Sequence, residues 1–244
     1  MKLAISGTYS SGKTTTTLAL SHLVGITATR AKTMREILPI ALPGKTLEGC
    51  SPGELMHLSI RRIMERSVKE SHLSTFVSDG SALHEWVYGM VRVRVGMHPK
   101  EGQDFDIPRT DSVLFFEDMM VNFGAIARDY AKSTYSEFIH LPIEFPLVAD
   151  GHRPVSERFR ALSDELLIKT LNELDIKYTI IGGSIEERLE KIVKLYGFEK
   201  QMSIDKALAL AQEDIAATFR EIERVEKLHY GTSLAHGDGE REWL

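Results

Sequence analysis

Residues 7–14 read Gly7-Thr8-Tyr9-Ser10-Ser11-Gly12-Lys13-Thr14. Glycines at the two ends of such a run let the backbone curl so that successive N–H groups converge on phosphate oxygens. A lysine after the second glycine reaches the β- and γ-phosphates, and the next hydroxyl can sit on Mg²⁺. The segment therefore predicts a nucleotide triphosphate site, with Gly7 through Thr15 as its cofactor-binding residues and Lys13 as a catalytic charge. A second candidate is Thr75-Phe76-Val77-Ser78-Asp79-Gly80, an apolar run that ends in an acid. An acid there can hold Mg²⁺ beside Thr14 or take the proton of an accepting hydroxyl. Asp-Gly is also a common turn pair, so a plain turn explains the same residues.

Two further segments carry charge or backbone freedom suited to a nucleotide. In Asp150-Gly151-His152-Arg153-Pro154-Val155-Ser156-Glu157-Arg158-Phe159-Arg160, arginines follow a glycine and flank a proline. Phosphoryl transfer needs positive charge over the moving group, often from a closing lid. Arg153 is the candidate catalytic arginine and Arg158 a nucleotide contact. A solvated face knit by ion pairs one turn apart is the competing explanation. Gly182-Gly183-Ser184 allows a flat ring such as adenine to approach the backbone at Gly183, and a simple strand-to-helix turn explains it equally. Candidates for the acceptor site are Arg35 and Glu36, Arg61 beside Arg62, and His84 with Glu85 just after Asp79. The histidines show no metal-ligand spacing.

These residues need elements to place them. Strand candidates are Leu3–Ser6, Thr75–Ser78, Ser136–His140 and Tyr178–Ile181, with a weaker one at Ile26–Thr29. Apolar residues at helical spacing predict helices over Ser51–His72, Ser112–Lys132, Ser156–Leu174 and Ile185–Tyr196. Alternating strands and helices predict an α/β fold with a parallel sheet, whose ligands gather at the carboxyl ends of the strands. Residues 92–110, with two prolines, two glycines and many charges, predict a loop. Ile204, Leu208, Ala211, Ile215, Phe219 and Ile222 form a long apolar stripe, which predicts a C-terminal helix over a polar tail. That stripe suits packing on the chain's own core or the seam of a homodimer. Residues 1–200 are thus expected to form one domain, and residues 201–244 an extension and tail.

Composition narrows the partners. The 244 residues are 43% hydrophobic and 27% charged, with a net charge of −5 and pI near 6.0. That balance gives no overall pull toward nucleic acid or an anionic membrane. No apolar run of about 18 residues suggests a membrane span. A single cysteine, Cys50, and an N-terminus unlike a signal peptide point to the cytoplasm.

Taken together, the Gly7–Thr14 loop, the strand-terminal Asp79, the Asp150–Arg160 segment and Gly182–Arg188 resemble the ribosylnicotinamide-kinase-like P-loop proteins, an AAA-like ATPase group close to nucleoside and nucleotide kinases. The likeness spans about residues 1–196. It implies a three-layer α/β/α P-loop NTPase fold with about five parallel strands. It also implies ATP and Mg²⁺, and transfer of the γ-phosphate to a small hydroxylated acceptor. The chain departs from the group in two ways. It lacks the H-x-G-H signature of bifunctional members, and Asp79-Gly80-Ser81 stands where the acid is often followed by Thr and a second acid. A regulatory ATPase without a small-molecule acceptor is the alternative. A guanine-specific switch would carry an N-K-x-D or T-K-x-D loop, and none is present.

Overall fold

A computed structural model describes residues 1–100, 102, 108–147 and 156–233, with side chains to residue 228. Five strands form one parallel sheet: β1 (Lys2–Ser6), β2 (Ala28–Arg30), β3 (Phe76–Asp79), β4 (Glu137–His140) and β5 (Tyr178–Ile180). Their order is β2-β3-β1-β4-β5. Parallel neighbours need a crossover, and a helix supplies each one. Register places Ile5 opposite Asp79, Asp79 opposite Arg30 and Ser6 opposite His140, so these carboxyl ends share one edge.

Side chains alternate across the pleat and feed two cores. Ala4, Phe76 and Phe138 pack with α3 (Pro52–Ser71), α4 (Ala82–Val95), α5 (Asp111–Thr134) and α6 (Glu157–Glu173). Leu3, Ile5, Val77 and Ile139 pack with α1 (Lys13–Val24), α7 (Ile185–Tyr196) and α8 (Ile204–Ser233). The result is helix, sheet, helix in three layers. The short α2 (Met34–Ala41) is set by a capping box, in which Thr33 Oγ1 accepts from the Glu36 N–H and Glu36 accepts from the Thr33 N–H. Ser51 with Glu54 and Ser184 with Glu187 start α3 and α7 the same way.

One expectation changes, and one open choice is narrowed. Residues 92–95 are helical, not loop: α4 continues to Val95 because Val91, Val93 and Val95 are buried, and it stops at Gly96 with φ 104°. The C-terminal stripe lies on the chain itself. Ala207 and Ala211 are fully buried, and α8 packs along α1 with His22 and Asp214 2.7 Å apart. Farther along α8, Arg35 of α2 binds both carboxylate oxygens of Glu226, at 2.8 and 3.0 Å. Among the described residues, no helix is long and apolar enough to cross a membrane.

Candidate active site

The loop between β1 and α1 is built from three positive-φ residues, Gly7 (133°), Ser10 (55°) and Gly12 (83°). A Cβ on Gly7 would lie 2.6 Å from the Leu141 carbonyl oxygen, so only glycine fits there. Gly12 is the N-cap of α1 and supplies no side-chain cap, which leaves the first N–H groups of the helix for an outside acceptor. Ser11 Oγ donates to the Thr8 carbonyl at 2.9 Å, and the Lys13 ammonium folds back onto that same carbonyl. The Thr8 hydroxyl is buried and has no hydrogen-bond partner.

Two buried arginines hold this loop from behind. Arg160 of α6 donates to the carbonyls of Ser10 (3.4 Å) and Phe145 (2.8 Å). Arg188 of α7 donates to the Ser11 carbonyl (2.5 Å) and to Glu144 (2.8 Å), with its guanidinium 4.6 Å above the Phe145 ring. In a trans peptide, C=O and N–H point opposite ways. Drawing the Ser10 and Ser11 carbonyls toward the arginines therefore turns the N–H groups of Ser11 and Gly12 to the other side. Hydrogen bonds from Arg188 and the Gly183 N–H hold the Glu144 carboxyl below its ordinary pKa.

The strand-terminal acid meets the loop directly. Thr14 Oγ1 donates to Asp79 Oδ2 at 2.7 Å. Behind Asp79 lies a network within the protein. Arg66 of α3, 2% exposed, donates to Ser78 Oγ (2.5 Å) and to the carbonyl of Asp79 (3.0 Å), with its Nη1 3.3 Å from Glu70. Glu70 also accepts from Thr29, Ser78, Tyr130 and Tyr135. Burial works against the Arg66 charge, but Tyr135, Glu70, Glu85 and Asp79 outweigh it and raise its pKa above the ordinary arginine value. The turn after Asp79 is tied to the phosphate-binding loop by His84. Its Nδ1 accepts from the Ser81 N–H (2.9 Å), which leaves Nε2 as the N–H that donates to the Gly7 carbonyl (3.1 Å). Burial, then the charges of Lys13 and Arg66, push His84 well below the ordinary histidine pKa, so it stays neutral.

The remaining candidates fall at varied distances from this centre. Tyr9 stacks on Tyr88 (centroids 4.4 Å) and Phe159 (5.8 Å). Arg92 packs there too, 5.8 Å above Phe159, and burial lowers its pKa against the partial support of Tyr9. Ser10 and Thr15 are half-buried at the loop and the start of α1. Glu36 forms a two-point ion pair with Arg30 at 2.8 and 3.0 Å. Arg35 is turned to α8, and Arg61 projects from the outer side of α3. Glu85 is buried, with Arg62 Nε 2.8 Å from Oε2, and its Oε1 has no hydrogen-bond partner. The Gly183 N–H is engaged by Glu144 at 2.8 Å. Arg158 is exposed on the first turn of α6, and Arg153 lies outside the described residues. Sequence reasoning missed the roles of Arg66, Glu70 and Arg188. A charged residue at an inward helical position was the available signal.

A hydroxyl and a carboxylate brought to 2.7 Å are hard oxygen donors, and the pair fits Mg²⁺, which binds few protein groups and keeps water or phosphate ligands. A family model described as an AAA domain matches residues 2–188. No curated protein matches the chain. Among solved structures, deoxyadenosine kinase from M. mycoides with dCMP and dCDP aligns with a TM-score of 0.56 at 13% identity, covering 81% of this chain and 98% of that one. The same kinase with dATP aligns with a TM-score of 0.56 at 14% identity, covering 81% and 100%. At such identity the likeness is one of fold: a five-strand parallel sheet flanked by helices, with a phosphate-binding loop after its first strand.

Proposed function

The chain belongs to the AAA domain family, and on that premise we propose that it is an ATP-dependent phosphotransferase acting on a hydroxyl of a small, nucleoside-like acceptor. The observation that carries this is the Thr14–Asp79 contact of 2.7 Å beside the uncapped N-terminus of α1. It joins a phosphate cradle and a metal-binding pair at one edge of the sheet. The fold likeness to a deoxynucleoside kinase supports a nucleoside-like acceptor.

The N–H groups of the loop and of α1 receive the phosphates of ATP, and Lys13 neutralises the charge at the γ-phosphate. Thr14 and Asp79 would hold Mg²⁺, which would supply positive charge to the phosphates. The acceptor oxygen forms a bond to the γ-phosphorus as the bond to the bridging oxygen of ADP breaks, and the acceptor's proton passes to a carboxylate. Asp79 would be that carboxylate where it does not itself hold the metal. Little covalent chemistry is asked of the protein, so positioning dominates the rate. Arg66 fixes the Asp79 backbone, and Arg160 and Arg188 fix the loop backbone. Arg153 and Arg158 would bring charge over the transferring group from the segment that starts α6. Of the acceptor-site candidates, Glu36 is held by Arg30 of β2, His84 and Glu85 lie on the helix that starts just after Asp79, and Arg35 and Arg61 point away to α8 and to the outer side of α3.

The test is incubation with MgATP and a panel of deoxynucleosides, ribonucleosides and their monophosphates, read by mass spectrometry. A product one phosphoryl group heavier, absent with Lys13→Ala, supports the assignment. ATP turnover that no acceptor in the panel stimulates overturns it in favour of a regulatory ATPase.

A further inference from the structure

Among the described residues, nothing covers an apolar face on helices α3 and α5. The four most exposed large apolar side chains among the described residues all lie on these two helices: Phe115 at 62%, Met64 at 61%, and Val68 and Ile126 at 60%. On α3, Ile60, Met64 and Val68 recur every fourth residue and so share one side. On α5, Phe115 and Ile126 precede Tyr130 by 15 and 4 residues, close to whole turns, so they share its side. The Tyr130 hydroxyl donates to Glu70 of α3 at 3.0 Å, which turns that side of α5 toward α3. The opposite flank of α3 is already in use. Glu65 there accepts from the Lys32 N–H at 3.1 Å, and Lys69 donates to the Arg30 carbonyl at 3.2 Å. The two stripes therefore run side by side as one surface.

Scattered exposed apolar residues need no explanation, but a contiguous group on neighbouring helices does. We propose that a second copy of this chain covers this face, with α3 and α5 of one protomer against α5 and α3 of the other about a two-fold axis. Charge supports a self-complementary pairing. The exposed rim of α3 carries Arg61, and the exposed rim of α5 carries Asp118 and Asp129. A two-fold crossing of α3 over α5 sets basic rim against acidic rim twice. Size supports it as well. Helices of 20 and 24 residues are about 30 and 36 Å long, and two of them about 10 Å apart present on the order of 600 Å². A stable pair buries about 800 Å² per partner, so these helices and their rims are of the right size. The α8 stripe, the alternative seam, already has Ala207, Ala211 and Ile222 buried within the chain. Pairing here would also brace α3, the helix that carries Arg66 to the back of Asp79.

Sedimentation velocity of the full chain across low to high micromolar concentration tests this, independently of which acceptor is used. The expected result is a species of two chains. Met64→Asp and Phe115→Asp should each shift it toward one chain, with far-UV circular dichroism unchanged because both side chains are exposed. Phe219→Asp on α8 should leave the pair intact. A wild-type chain that sediments as a monomer throughout overturns the proposal. So does a pair that survives the combined Met64→Asp and Phe115→Asp change, or one that only Phe219→Asp dissolves.

Discussion

In the proposed reaction the chemistry turns on Asp79, the one carboxylate among the described residues that the Thr14 hydroxyl reaches, at 2.7 Å. Asp79→Asn keeps the shape and removes the charge. Nucleotide binding should survive, while phosphoryl transfer falls by about 10²–10⁴-fold, the range for a lost acid–base or charge-holding group. Single-turnover kinetics beside a fluorescent ATP-binding assay separate the two, and a loss under about tenfold would leave Asp79 as a turn residue. Arg188 acts one step back, through the Ser11 carbonyl. Arg188→Met leaves the Ser11 carbonyl without this donor and Glu144 with only the Gly183 N–H, so the loop should relax and ATP affinity should fall by on the order of tenfold, with a smaller change in kcat. Arg188→Lys keeps the charge but loses the planar fork, and its affinity should lie between the two. Calorimetric titration with an ATP analogue orders the three proteins, and equal affinities would show that the loop holds its shape without Arg188.

At the scale of elements, the joint between β1–α1 and β3–α4 is closed by a neutral His84, which donates to the Gly7 carbonyl. Its folded pKa is depressed well below the ordinary histidine value. The unfolded chain then binds more protons than the folded one in the window beneath about pH 6.5, so stability must fall as pH drops through that window. Thermal melts at pH 7.5 and 5.5 should show a larger loss for the parent than for His84→Gln, which cannot titrate. Equal losses would place the pH sensitivity elsewhere. This joint also marks where the sequence was legible. A loop that needs glycine at fixed places announces itself, and so does a short apolar run ended by an acid. The helices after those strands follow from apolar spacing. What His84, Arg66 and Glu70 do was not legible, because their partners Gly7, Asp79 and Tyr135 lie elsewhere in the chain and meet them only in the fold. The end of α4 was misread for a related reason: the arginines at 92 and 94 look like loop charge until Arg92 is seen buried against Phe159.

At the scale of the whole molecule, α8 decides whether the last described stretch is an appendage or part of the body. Its small side chains face α1, where Ala19, Leu20 and Leu23 are fully buried in the same core as Ala207 and Ala211. Small residues let the two helices approach closely, and any larger group must displace one of them. Its distal half reaches Arg30 of β2 through Thr218 and α2 through Glu226 and Arg35, so the same helix spans from the C-terminal half of α1 to the β2 side of the sheet. Ala211→Asp would put a carboxylate into that dry contact with no partner among the surrounding Leu20, Leu23 and Ala207. The cost should be on the order of 3 kcal/mol. For a chain of this length that corresponds to a fall in Tm of about 6–12 °C. Calorimetry of Ala211→Asp beside the exposed control Gln212→Asp measures it. A matched pair of melting curves would mean that α8 is held only loosely, and the sheet with its seven other helices would then fold without it. A large loss with Ala211→Asp alone would make α8 a structural member of the domain, because α1, the helix that follows the glycine loop, would lose the surface it rests on.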